Sequence, residues 1–144
     1  MGEAASAVVL AGRLVFAACF VAVAGLGHIR RDAVMRDYAR HSGFPAPSLA
    51  GWPAGLWLVA GGLSVGLGAW ADVGALMIAA FVMPAAYWFH RFWAVEDPEQ
   101  RQLQMQLFFR NLVFLGAALA LFGFFAGLGE GLGLTLTGPL LELD

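Results

Sequence analysis

WPAGLWLVAGGLSVGLGAWADVGALMIAAFVMPAAYWFHRFW, residues 52–93, carries a single charge, Asp72, before His90 and Arg91. As one helix it would be about 60 Å long at 1.5 Å per residue, twice the ~30 Å hydrocarbon core of a bilayer. It therefore reads as two spans, 52–71 and 73–93, joined by a tight hairpin at residues 71–73. Asp72 falls at the membrane interface, where a carboxylate is tolerated far better than at mid-depth. The glycines of VAGGLSVGLG suit close helix packing rather than a phosphate cradle, with Gly62 and Gly66 forming one small-xxx-small pair.

Two further apolar runs, 8–27 and 107–128, flank this pair. The expected architecture is an all-α, integral membrane four-helix bundle forming a single domain over residues 1–144. The tail, 129–144, is expected to lie outside the bundle. Composition agrees: 60% of the 144 residues are hydrophobic and 12% charged, whereas soluble domains carry about a quarter charged residues. The first run lacks the basic n-region and cleavage site of a signal peptide, so it reads as a retained span.

The loops give the bundle two unlike ends. HIRRDAVMRDYARHSGFPAPSLAG, residues 28–51, is arginine-rich and predicts a short amphipathic helix on the membrane surface, ended by Ser42–Gly43 and the prolines. In AVEDPEQ, Asp97 is placed as N-cap and Pro98 at the first position of the last helix, which starts outside the lipid. Arg30, Arg31, Arg36, Arg40, Arg91 and Arg101 share one side. The other has Arg13 with Glu3, Asp72, Glu130, Glu142 and Asp144. Basic loops favour the cytoplasm, so both termini are expected outside it.

That topology brings His28, His90, Arg110 and Asn111 to one depth near the arginine-rich face, with Trp93 beside them. Arginine and asparagine supply donors to a carbonyl or an anionic headgroup, and histidine exchanges a proton near neutral pH. A quinone headgroup or a lipid phosphate suits such a pocket. Tyr87, Trp88 and Trp93 equally suit an interfacial aromatic belt, and Arg91 a snorkelling cation. Arg110 and Asn111 are harder to leave facing lipid, at ~2.5 kcal/mol or more for the arginine. At the opposite face Arg13 is expected to pair with Asp72 as a structural ion pair.

Several classes are excluded. The basic residues form no dense patch for nucleic acid, and Cys19, alone, permits neither an intrachain disulfide nor a C-x-x-C relay. His28, His41 and His90 lack metal-ligand spacing, so no metal is expected. Haem is disfavoured, because axial ligation needs two facing residues and a large cavity. No nucleophile elbow is present, and no deep carboxylate serves a proton-coupled pump.

The stretches GRLVFAACFVAVAGLGHI (12–29), HSGFPAP (41–47) and HRFWAVEDPEQRQLQMQLFFRNLVFLGAALAL (90–121), with the glycine-rich second span, make the chain resemble the DoxX family of four-span bacterial membrane proteins, to about Phe125. Arg13 matches an early arginine of the first helix, and His28 stands where relatives have a lysine-bearing turn. The pattern H-x-F-W, D-P and basic-Asn-Leu is matched by His90, Phe92, Trp93, Asp97, Pro98, Arg110, Asn111 and Leu112. The resemblance implies a bacterial cytoplasmic-membrane protein tied to respiratory or redox-stress complexes, some of them quinone-linked. Two functions follow as expectations: a membrane subunit of a quinone-linked oxidoreductase assembly, needing an electron-carrying protein partner, or a non-enzymatic scaffold binding a partner, a second copy or anionic lipid. Neither makes the chain a complete enzyme alone.

Overall fold

The computed structural model describes residues 2–143. Met1, Asp144 and the side chain of Glu130, which entered the domain range and the loop charges above, lie outside the described residues. Among those described, the regular elements are helices, with no strand. Five are named here: α1 (Glu3–Arg30), α2 (Asp32–His41), α3 (Trp52–Leu67), α4 (Ala71–Phe89) and α5 (Pro98–Leu128).

Three helices are long and apolar enough to cross a membrane: α1, α4 with the turn that follows it to Ala94, and α5. The fourth apolar helix, α3, has 16 residues and is about 24 Å long, short of a full hydrocarbon core. It was expected to run to residue 71 but stops at Leu67, because Gly68 adopts a left-handed conformation (φ +69°) that ends a helix. Trp70 is also left-handed (φ +48°), so the hairpin turns at 68–70, just before the expected place. Asp97 caps α5 as expected, its carboxylate accepting from the Gln100 N–H at 2.8 Å.

Helices pack in the order α1–α3–α4–α5, while α1 and α5 do not form a closely packed pair. Leu58, Val65, Ile78, Val82 and Phe125 fill the core, and Val8, Val15, Val23, Met83 and Val113 are exposed on the helix sides, which marks those sides as lipid-facing. Small residues set the α1–α3 distance. A Cβ on Gly62 would lie 2.7 Å from Val21 Cγ2, and one on Gly66 2.9 Å from the Ala17 Cβ. Where α1 passes Gly55, residues Cys19–Gly25 widen into a π-helix.

Two expectations need correction at the end of the bundle where α1 begins and α5 ends. The tail, expected to stand outside the bundle, is a strap across that end. Ser6 Oγ donates to the Leu132 carbonyl at 3.3 Å, Leu136 and Thr137 N–H donate to the Gly68 carbonyl, and Leu143 N–H donates to the Ala126 carbonyl. The strap also separates Arg13 from Asp72 in bonding. Arg13 donates to the carbonyls of Val65, Gly66 and Leu134, each at 3.1 Å, with its guanidinium 5.4 Å from the Phe125 ring centroid. Asp72 instead accepts the N–H groups of Leu140 and Leu141, at 3.0 and 2.8 Å. Among the described residues, ion pairs join Arg36 to Asp32 and Arg40 to Asp37; Arg13 and Asp72 make none. Arg13 is met by carbonyls of α3 and of the strap, whereas Asp72 is met by strap N–H groups on Oδ2 alone, its buried Oδ1 having no hydrogen-bond partner among the described residues.

Candidate functional site

At the opposite, arginine-rich end the bundle holds a cavity of about 490 Å³, within the usual size for small-molecule sites. It is walled by α1 (Phe20, Ala24, His28), the start of α3 (Pro53, Ala54, Trp57), α4 (Phe81, Pro84, Phe89, with His90 beyond it) and α5 (Arg110, Asn111, Phe114). Phe20, Ala24 and His28 recur every four residues, which places them along one face of α1. Pro84 has no N–H to offer the Ala80 carbonyl one turn back, and both residues line the cavity.

The polar groups at its rim have defined roles. His28 Nδ1 lies 2.6 Å from the Ala50 carbonyl. A carbonyl only accepts, so Nδ1 carries the proton and Nε2 of the neutral ring is an acceptor. Phe81 holds that ring edge-to-face at 5.4 Å. His90 Nδ1 faces Gln104 Oε1 at 2.9 Å, and the same reasoning leaves its Nε2 as an acceptor. Asn111, 8% exposed, gives one amide hydrogen to the Leu107 carbonyl at 2.9 Å. Arg110 makes no hydrogen bond or ion pair among the described residues, so its whole donor fork is free. Arg110 and Asn111 thus supply donors, and the two histidines supply acceptors.

Helix α2 covers this end. Met35 and Tyr38 line the cavity; Tyr38 donates its hydroxyl to the Phe89 carbonyl at 2.9 Å, and Phe44 packs on Trp88 and Phe89 with centroids 5.6 Å away. Asp32 accepts from the Trp52 N–H at 2.9 Å, fixing the other end of α2 to α3. The amphipathic segment, expected to lie on the membrane surface, is at this end of the bundle and also covers the cavity. Arg91, expected to snorkel, donates to the Ser42 carbonyl at 2.7 Å and ties down the end of α2.

Of the residues singled out in the sequence, His28, His90, Arg110 and Asn111 meet in this cavity. Trp93 does not: it is 49% exposed and packs against Tyr87, Phe92 and Phe108 on the outside, because the 3₁₀ turn Phe92–Ala94 carries it past the helix end. The apolar contributors Trp57, Phe81 and Phe114 were not picked out, since an aromatic residue in a hydrophobic span has no distinguishing pattern. Among the described residues no three of His, Cys, Asp and Glu gather into a metal-binding group.

Comparison with known proteins gives one finding that bears on identity. No curated protein matches the chain, and no solved structure matches it. A family model described as DoxX matches residues 8–91, more than half of the 144 residues. The match takes in α1 to α4 with His28 and His90 and ends before Arg110 and Asn111. With four apolar helices in a bundle and a family match over that length, the chain belongs to the DoxX family of membrane proteins.

Proposed function

We propose that this protein is a membrane subunit that binds a quinone-type headgroup in the cavity at the arginine-rich end, within a larger redox assembly. The observation that carries the reading is the meeting of Arg110, Asn111, His28 and His90 around an otherwise apolar cavity. A quinone carbonyl accepts, and Arg110 with the remaining Asn111 amide hydrogen donates. A quinol hydroxyl donates, and the histidine Nε2 atoms accept. Converting one form to the other takes two electrons and two protons. With one cysteine in the chain, the electrons belong to a protein partner, and the histidines are the groups of this chain suited to passing protons. Arg30, Arg31, Arg40 and Arg101, exposed at the same end, are the surface for that partner.

This reading places the protein in the bacterial cytoplasmic membrane with both termini outside the cytoplasm, since the basic end is favoured inside. The test is to purify the protein in mild detergent, extract bound lipid, and compare its quinone content with that of the surrounding membrane. Enrichment that is lost in an Arg110→Ala, Asn111→Leu variant is expected. Quinone at the bulk membrane ratio in both proteins would overturn the reading.

A second reading is a scaffold that binds anionic lipid or a partner through the arginine loop. It is favoured by Arg30 and Arg31, which carry no side-chain hydrogen bond or ion pair among the described residues. Replacing both with glutamine should then reduce binding to anionic vesicles while leaving quinone content unchanged.

A further inference from the structure

The cavity is not the only opening along α1. A second one, also about 490 Å³, lies on the flank of the bundle and is lined by Ala11, Gly12, Val15, Phe16, Cys19, Phe20 and Phe114. It lies where α1 and α5 fail to pack closely. Phe20 and Phe114 belong to both openings, and their rings meet edge-on with centroids 5.4 Å away. One aromatic pair therefore separates the polar-ended cavity from an apolar cleft open to the lipid side.

From His28 to Ala11 the two openings extend about 25 Å along α1, with about 13 Å of that beyond Phe20. A headgroup alone occupies only the first part. The cleft residues are apolar or weakly polar throughout, and a Cβ on Gly12 would meet nothing within 4 Å. An apolar chain there loses nothing by leaving lipid, and polar groups would find no partner.

Resting on the headgroup reading above, we propose that the α1–α5 cleft holds the apolar tail of the same ligand, and that the ligand enters sideways from the bilayer past the Phe20–Phe114 pair. The ligand class is thus a long-chain amphiphile with a carbonyl-bearing ring, and the cleft selects for its tail. That the two openings share the Phe20–Phe114 pair as their common wall supports this occupant over an unrelated lipid chain.

Cys19 provides the readout, because it is the single cysteine, is exposed and lines the cleft. The protein in detergent is titrated with a quinone bearing a ten-carbon tail, with its tail-less counterpart, and with a plain ten-carbon alcohol, following tryptophan quenching for binding and maleimide alkylation for cleft occupancy. The tailed quinone is expected to bind at least about tenfold more tightly than the tail-less one and to slow alkylation of Cys19 several-fold; the tail-less one binds without slowing it, and the alcohol does neither. Gly12→Phe, which projects into open space, should bring the tailed compound down to tail-less affinity. If the tail-less quinone binds and the tail brings neither affinity nor protection, or the alcohol protects equally, the tail site is wrong and the headgroup reading stands. If neither quinone binds, both fall.

Discussion

Arg13 and Arg110 are two arginines in apolar helices with opposite circumstances. Arg13 is 1% exposed and fully engaged with three carbonyls and a ring; Arg110 is exposed along the cavity rim with no protein partner. The first is therefore structural. Arg13→Leu leaves buried carbonyls unpaired at ~1–3 kcal/mol for each such group, so thermal unfolding in detergent should move down markedly and amide exchange should rise across 134–141. Unchanged exchange in that strap would contradict its anchoring role. For Arg110 the expectation is reversed. Arg110→Ala should leave the melting temperature nearly unchanged and weaken quinone binding by about tenfold or more, the worth of a charge-assisted hydrogen bond of ~1.5–3 kcal/mol. Arg110→Lys should recover only part of it, since a planar fork is replaced by a point charge. Equal loss of stability in both variants would undo the distinction.

At the scale of elements, α5 owes its start to Asp97 and Pro98, while α2 owes its position to tertiary contacts at both ends. Asp97→Ala should cost ~1 kcal/mol, as for other N-caps, read as a small drop in unfolding temperature with ligand affinity preserved. Tyr38→Phe removes the bond to the Phe89 carbonyl, worth ~1 kcal/mol. The cover should then exchange amide hydrogen faster over residues 32–41 and release bound quinone several-fold faster, with the rest of the bundle unaffected. These two elements also mark what could be read from sequence. The cap of α5 was legible because its signal is local: an Asx side chain, a proline and a glutamine within four positions. The placement of α2 over the cavity was not, because its hydrophobic face fits a bilayer surface as well as a protein one. Its contact with the bundle rests on Tyr38 and Arg91 reaching distant carbonyls, and that contact is compatible with a surface position. The end of α3 was misplaced for a related reason. Gly68 lies inside an unbroken apolar run, where its left-handed backbone leaves no trace in hydrophobicity.

For the whole molecule, the antiparallel order of helices gives two ends with separate tasks. One is closed by the strap, through Asp72, Arg13 and Gly68; the other contains the cavity. Depth alone, counted along four apolar runs, was enough to bring His28, His90, Arg110 and Asn111 together. It could not foresee that Arg13 and Asp72, also at one depth, would bond to backbone instead of each other, because α3 and the strap contribute carbonyl and N–H groups that leave no charge in the sequence. The central claim is that the four polar side chains hold a carbonyl headgroup. Infrared difference spectroscopy of a bound carbonyl-labelled quinone measures that contact directly. The account predicts a bound carbonyl band shifted below its position in lipid, returning toward the lipid position in Arg110→Ala. A band at the lipid position in the unaltered protein would contradict it.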